Sequence, residues 1–146
     1  MDFKIYNTFN ALSKIKNDWN QLLQLSASHV PFLRFEYLQT WWETRGGGEW
    51  PEDSQLIIIA AYQDDRLLGA APLFHTLNKE GKPALMFVGA IEVSDFLDFI
   101  ARPEDLPGFI NGMLDVLNSD QSIPNWEVLD LYNILEDSPS FKSLSS

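Results

Sequence analysis

Polar and apolar residues alternate near the start of the chain, and the period then changes to that of a helix. Residues 3–6 alternate and predict a short strand. Between Asn10 and Ser26 the apolar residues recur three and four positions apart, which predicts an amphipathic helix. The members of this apolar stripe are Leu12, Ile15, Trp19, Leu22 and Leu23. A second, shorter helix is predicted around Phe35, and it must end at the run Gly46-Gly47-Gly48 because three successive glycines make continuation costly. We expect the glycine run to form a surface turn.

Three strands are predicted in the middle of the chain. Residues 56–62 are apolar on both faces, as expected for a central strand that is covered on each side. The polar residues 63–66 predict a hairpin turn into a second strand at 67–77. Pro72 lies inside that second strand and indicates an edge position or a bulge. The third strand is predicted at residues 84–88, and the short segment 96–100 is a candidate for a fourth.

The last third of the chain begins with a helix start. The segment Arg102-Pro103-Glu104-Asp105 predicts a first turn that contains a proline and two carboxylates. The apolar stripe that follows is Leu106, Phe109, Ile110, Met113, Leu114 and Leu117. A last strand is predicted at 127–132, and Ser138-Pro139 predicts the start of a helix over 137–146 that this sequence does not complete. We therefore expect one domain over residues 1–146. Either its tail frays or, as we prefer, the chain is the front part of a longer protein.

The predicted order of strand, two helices, three antiparallel strands, helix and strand resembles the first part of the GNAT acyltransferase topology. Short segments also resemble the opening of CelD-like proteins, a GNAT branch related to FemAB-type transferases. In chain order these segments are Asp18-Trp19-Asn20-Gln21-Leu22, Ser26, Pro31-Phe32-Leu33, Trp41-Trp42, Leu68-Gly69-Ala70-Ala71-Pro72-Leu73, Phe87-Val88-Gly89 and Ser94-Asp95-Phe96-Leu97-Asp98. The resemblance extends over residues 18–132, which is most of the chain.

This resemblance implies an α/β fold in which a mixed, mostly antiparallel sheet is flanked by helices. It also implies an acyl-CoA-dependent N-acyltransferase that is linked to cell-surface polysaccharide or peptidoglycan. Such proteins commonly contain two GNAT-like halves, and the C-terminal half is usually the catalytic one. The resemblance therefore implies acetyl-CoA or another acyl-CoA as the cofactor of the full-length protein, and the missing C-terminal half as the first partner of this chain.

The sequence departs from the family at the cofactor loop. GNAT enzymes bind the CoA pyrophosphate on backbone N–H groups of a glycine-rich loop at a helix N-terminus. The family pattern is Arg or Gln, two residues, Gly, one residue, and Gly or Ala, and nothing between Val88 and Leu106 matches it. Glu104 and Asp105 at the predicted helix start would repel a diphosphate. We expect no cofactor in this chain, and the sequence leaves open whether the chain is itself an enzyme.

Composition and charge narrow the possible partners. The 146 residues carry a net charge of −11 with a pI of about 4.4, which disfavours binding to nucleic acid or to an anionic membrane surface. Residues 91–146 contain eleven acidic and two basic side chains, which predicts either a solvated acidic face or a surface for a cationic ligand. The chain contains no cysteine, so disulfides and cysteine-based metal sites are excluded. No apolar stretch is long enough to span a bilayer, and we expect a cytoplasmic protein.

Two groups of residues are candidates for an acceptor site. Ser94, Asp95 and Asp98 form a dense polar cluster that predicts binding of an amine or a hydroxyl-rich acceptor, or a general base. The alternative is a turn in which Ser94 and Asp95 bond to nearby backbone. Trp41 and Trp42 are candidates for a sugar-binding groove, with core packing as the alternative for either one. No segment has the spacing of a metal-binding motif, so no metal is expected.

Two functions from different classes follow from these observations. The first is an N-terminal, non-catalytic or acceptor-binding half of a GNAT N-acyltransferase, with an amine or a sugar as its acceptor. The alternative is a stand-alone interaction domain that has a GNAT-like fold and no catalysis.

If the sheet continues beyond residues 127–132 in another part of the protein, the isolated chain exposes an apolar sheet edge. Open edges tend to pair with another chain, so we expect a homodimer or aggregation despite the charge of −11. Sedimentation at high protein concentration measures this directly. A stable monomer under those conditions would favour the self-contained interaction domain instead.

Overall fold

The computed structural model describes residues 1–27, 33–48, 54–78, 80–89 and 98–130. Within these residues the helices are α1 (Phe9–Leu12), α2 (Lys16–Leu25), α3 (Phe35–Gly48) and α4 (Leu106–Ser119). The strands are β1 (Asp2–Tyr6), β2 (Gln55–Gln63), β3 (Arg66–Leu77), β4 (Pro83–Phe87), β5 (Ile100–Ala101) and β6 (Val128–Asp130). The predicted strand at 127–132 is described only as far as Asp130, and the predicted helix at 137–146 lies outside the described residues.

The strands form one sheet in the order β1-β2-β3-β4-β6, and β5 pairs with β3. Neighbouring strands are antiparallel except β4 and β6, which are parallel and are separated in the chain by β5 and α4. A parallel neighbour requires a crossover, and α4 is the helix within it. The prediction of a mixed, mostly antiparallel sheet flanked by helices is confirmed.

The first predicted helix forms, but with an interruption. Residues 13–15 form a short 3₁₀ turn between α1 and α2. The Thr8 side chain accepts a hydrogen bond from the backbone N–H of Ala11 and caps the start of α1. Beyond the turn, Trp19, Leu22 and Leu23 of the predicted stripe are buried in the core.

Pro72 does not lie on an edge strand, because β3 is inside the sheet. The far side of β3 pairs with β5 at Gly69 and Ala70 and with β4 from Leu73 onward. Pro72 lies at the change of partner, and its carbonyl accepts a hydrogen bond of 2.8 Å from Val88 N–H. The N–H and C=O groups of one strand residue point to the same side, so the missing N–H faces this gap between two partner strands. The sheet tolerates the proline there without a bulge at that position.

The prediction that the run Gly46-Gly47-Gly48 forms a surface turn is wrong. Helix α3 extends through Gly48 and includes the whole glycine run. Glycine costs about 1 kcal/mol relative to alanine in a helix interior, but tertiary packing commonly overrides propensity. Here the first two turns are fixed by Phe35, Leu38 and Trp41, all of which are buried.

One polar side chain connects the first helices. Asn20 on α2 accepts a hydrogen bond of 3.0 Å from the backbone N–H of Phe35, the first residue of α3. Its amide nitrogen donates to Glu36 at 2.9 Å. Lys16 and Arg34 lie 3.5 and 3.6 Å from the same carboxylate. The pKa of Glu36 is lowered, first by hydrogen bonding to backbone and further by Asn20 and the two cations, so the carboxylate remains ionised at the start of α3.

Helices cover both faces of the sheet. Phe109 of α4 lies against Gly69, whereas Trp41 and Trp42 of α3 pack on Phe74. Positions 69 and 74 differ by an odd number of residues, so their side-chain directions are on opposite faces. The longest helices in the described part of the chain have 14 residues, and none of them is long and apolar enough to cross a membrane.

Trp19 is a direct test of this core. It is fully buried, its Nε1–H donates to the carbonyl of Leu33 at 2.9 Å, and its ring meets Phe35 edge-on at 5.9 Å. We expect Trp19→Ala to lower the free energy of unfolding by about 3–5 kcal/mol, because the truncation leaves a cavity and an unpaired buried carbonyl. Urea denaturation measures the loss. Trp19→Phe, which keeps an aromatic ring, should lose less, and an unchanged midpoint in Trp19→Ala would place this residue outside the core.

Candidate functional site

The structure describes three of the five predicted acceptor residues, namely Trp41, Trp42 and Asp98. Ser94 and Asp95 lie outside the described residues, so their role as acceptor ligands stays a prediction. Trp41 is 3% exposed and Trp42 is half-buried. Their rings lie 5.5 and 5.7 Å from that of Phe74, so both tryptophans pack against the same strand residue. Only Trp42 of the pair therefore presents a substantial part of its ring surface outside the core.

Asp98 is a buried carboxylate, with 3% of its surface exposed. Its Oδ1 accepts a hydrogen bond of 2.8 Å from the backbone N–H of Phe99. Phe99 in turn meets Phe87 edge-on, with ring centroids 5.0 Å apart, so the segment is anchored to β4 immediately before β5 begins. Burying a carboxylate costs free energy unless hydrogen bonds compensate it, and the bond from Phe99 is one such compensation.

The start of α4 differs from the sequence prediction. The helix begins at Leu106, so Glu104 and Asp105 precede its first turn rather than occupy it. The backbone N–H groups of Asp105 and Leu106 both donate to the carbonyl of Arg102 at 3.0 Å, and that of Phe109 donates to Asp105. Pro107 has no N–H to offer. The helix terminus is therefore closed by its own chain, and few donors remain there for an anion.

A cavity of about 300 Å³ lies between α2, the turn that joins β2 to β3, and Arg102. We call it the charged groove. Its apolar lining is Leu22, Leu25 and Leu67, and its charged lining is Asp18, Asp64, Asp65, Arg66 and Arg102. Leu25 is 53% exposed, which makes it one of the few large apolar side chains at the surface of the described part.

Two hydrogen bonds explain why α2 and Arg102 lie side by side. The backbone N–H of Ala27 donates to the carbonyl of Ala101 at 2.8 Å, and Ala101 N–H donates to the Ser26 hydroxyl at 3.3 Å. These bonds hold the end of α2 beside β5 and so place Arg102, the next residue, next to the helix. Asp64 and Asp65 have φ values of 52° and 63°, as in a two-residue type I′ hairpin turn.

Sequence reasoning did not find the charged groove. It interpreted residues 63–66 only as a turn and Arg102 only as part of a helix start. One feature of the sequence indicated the groove: the turn contains two adjacent carboxylates followed directly by an arginine, which is more charge than a hairpin turn requires. The meeting of that turn with α2 and Arg102 depends on tertiary contacts that no local pattern contains.

A larger and more open cavity of about 700 Å³ lies along the connection from α4 to β6. Its polar groups are partly used within the connection itself. Asp120 accepts hydrogen bonds from the hydroxyl and backbone N–H of Ser122, which lower the pKa of this exposed carboxyl. The indole N–H of Trp126 donates to Leu117 at 3.1 Å. These hydrogen bonds fix the conformation of the connection. Of these two cavities, the charged groove has more charged side chains without a partner among the residues that the structure describes.

Two tyrosines form a hydrogen-bonded pair between β1 and β2. The hydroxyls of Tyr6 and Tyr62 lie 2.8 Å apart, and Lys4 Nζ lies 5.4 Å from the centre of the Tyr62 ring. Burial is the main cause that raises the pKa of Tyr62, and the hydrogen bond with Tyr6 and the charges of Tyr6 and Asp18 raise it further. Asp18 therefore acts on the sheet electrostatically as well as lining the charged groove.

Within the described ranges, no three histidine or carboxylate side chains are arranged to hold a metal ion. Comparison of the chain with protein-family models, with curated proteins and with solved structures found no match. The resemblance to CelD-like GNAT proteins therefore stays a prediction, and function has to be inferred from the geometry of this chain.

The raised pKa of Tyr62 predicts a pH dependence of stability. A tyrosine whose pKa in the folded state lies above its unfolded value of about 10 stabilises the fold below about pH 10. This contribution is lost as the pH rises from there toward the folded-state pKa. We expect the alkaline loss of stability to be smaller in Tyr62→Phe, measured by denaturation between neutral pH and about pH 11. Tyr37→Phe on α3 is the matched control for removing a hydroxyl. Parallel pH profiles for the wild type and Tyr62→Phe would contradict this assignment.

Proposed function

We propose that this chain is the N-terminal, acceptor-binding and non-catalytic half of an acyl-CoA-dependent N-acyltransferase of the GNAT type. The acceptor is an amine or a sugar connected with cell-surface polysaccharide or peptidoglycan. The sequence segments that resemble CelD-like proteins support this proposal. The antiparallel series β1 to β4, followed by a helix and a strand parallel to β4, is compatible with the expected order of elements.

The observation that carries the proposal is the closed N-terminus of α4. In a GNAT enzyme the helix after the fourth strand would present free backbone N–H groups to the CoA pyrophosphate. Here two of those N–H groups donate to the Arg102 carbonyl and a third position is Pro107. Glu104, which is exposed just before the helix, adds negative charge near the same end. Opening this terminus for a diphosphate would require breaking backbone hydrogen bonds, which supports a half that binds acceptor rather than cofactor.

The acceptor role is assigned to Trp42, the more exposed of the two tryptophans, and to Asp98, whose carboxylate is buried. Trp42 is half-buried and offers an aromatic face on which the apolar face of a sugar ring can stack. Asp98 is the described carboxylate of the predicted acceptor cluster and is held in place by Phe99 N–H. A stand-alone interaction domain would use neither feature for a small acceptor, so ligand binding separates the two functions.

Titration with acetyl-CoA tests the proposal that this chain does not bind the cofactor. We expect calorimetry with this chain to give no one-to-one binding in the low-micromolar range, because the start of α4 has few free donors. A low-micromolar isotherm would contradict the proposal and would identify the chain as a cofactor-binding domain.

Chemical-shift mapping tests the proposed binding of an acceptor. Glucosamine is expected to move the Trp42 indole resonance and the Phe99 backbone amide, whereas N-acetylglucosamine, which lacks the basic amine, is expected to move them less. Trp42→Ala should remove the response, and Trp126→Ala, which removes an indole that bonds to the Leu117 carbonyl, should retain it. If neither sugar binds and acetyl-CoA also fails to bind, the interaction domain becomes the better description.

A further inference from the structure

The charged groove contains side chains of both signs that are left apart from one another. Elsewhere on the surface opposite charges do pair, with Lys16 and Arg34 on Glu36 and Lys82 on Glu80 at 3.5 to 3.8 Å. Among the described residues, no carboxylate of the groove lies within ion-pair distance of Arg66 or Arg102. Two guanidinium groups and three carboxylates therefore border one concave space without forming ion pairs with one another.

Arg102 supplies a second, independent observation. Its Nε is buried, and it has no hydrogen-bond acceptor in the described part of the chain. A buried N–H of a charged group that lacks an acceptor costs free energy, so the Arg102 guanidinium is not satisfied by its own chain. A carboxylate is the acceptor that matches a guanidinium, because its two oxygens can meet two N–H groups of the arginine at once.

The other side of the groove favours a positive group. Asp64 and Asp65 are exposed at the tip of the hairpin, and Asp18 faces the same space from α2. A simple cation would leave both arginines unmatched, and a simple anion would meet three carboxylates on a chain of charge −11. The same space is also lined by Leu22 and Leu67, which are buried, and by Leu25, which is exposed.

We propose that the charged groove binds a small zwitterion of the amino-acid type, which carries an ammonium group, a carboxylate and an apolar side chain. The carboxylate is bound by Arg102 and Arg66. The ammonium group is bound by Asp18 and the two carboxylates of the hairpin turn, and the apolar side chain lies on Leu25. A cavity of about 300 Å³ is at the lower end of the range for ligand sites and suits a molecule of this size.

This site is distinct from the acceptor surface of the proposed function. It lies at the Leu67 end of β3, and Trp42 packs on Phe74 seven residues further along the strand. At strand rise that separation is about 23 Å. The zwitterion site therefore does not depend on the acyltransferase proposal, and either can fail while the other holds.

A set of three probes with the same isobutyl group tests the charge requirement. L-leucine carries both charges, 3-methylbutylamine lacks the carboxylate, and 4-methylpentanoate lacks the ammonium group. Backbone amide shifts of Gln21, Asp65 and Arg102 are followed while each probe is titrated into the chain. We expect saturable shifts with leucine and an affinity at least about tenfold lower for each analogue, since each analogue loses charge-assisted hydrogen bonds.

Four variants assign the two ends of the ligand. Arg102→Gln should weaken leucine and 4-methylpentanoate at least about tenfold, and Arg66→Gln repeats the test at an exposed residue that is not part of the core. Asp64→Asn should weaken leucine and 3-methylbutylamine, and asparagine tolerates the positive φ of that position, so the turn is kept. Arg34→Gln removes an arginine that pairs with Glu36 outside the groove and should leave leucine binding unchanged.

Three results would overturn the proposal. The first is no leucine-dependent shift at the three amides in the folded wild type. The second is an analogue that binds as tightly as leucine, which would make the groove a site for a single charge. The third is a loss in Arg34→Gln as large as the loss in Arg66→Gln, which would make the effect one of overall charge.

Discussion

The position of α4 on the sheet depends on the missing side chain at residue 69. Phe109 lies where a Cβ of Gly69 would be, and its Cγ would be only 2.7 Å from that atom. Phe109 also stacks on Phe3 of β1, with ring centroids 6.1 Å apart, so one aromatic side chain joins α4 to both β1 and β3. Because the helix packs this closely, the chain can cross the sheet face and return as β6 parallel to β4.

The same strand organises both candidate sites. β3 pairs with β2 along one side and with β5 and then β4 along the other, and Pro72 marks the change of partner. At one end the β2–β3 turn contributes its two carboxylates to the charged groove, and β5 places Arg102 opposite them. Toward the other end Phe74 supports the tryptophans of α3. A shift of α4 relative to β3 would therefore disturb β5, Arg102 and the groove together.

Local sequence patterns predicted the helices and strands better than they predicted how these elements pair and pack. The apolar run at 56–62 correctly predicted a strand covered on both faces, since β2 is buried along most of its length. The proline rule failed at Pro72 because it assumes one partner per side, whereas β3 changes partner at that residue. Glycine propensity failed at the end of α3 because burial of its first turns fixes the helix. The charged groove combines a helix face, a turn and Arg102. The helix and Arg102 meet through the backbone hydrogen bond from Ala27 to Ala101, which no periodicity reveals.

Urea denaturation of Gly69→Ala, beside Gly108→Ala, measures the central constraint most directly. A methyl group at position 69 overlaps the fully buried Phe109 ring, so we expect a loss of about 1–3 kcal/mol in the free energy of unfolding. At position 108 in α4 the added methyl group meets only Met1 Cε at 3.4 Å, so this variant should be unchanged or gain up to about 1 kcal/mol. Equal unfolding midpoints for Gly69→Ala and the wild type would contradict the account, because α4 could then pack on β3 without the bare backbone of residue 69.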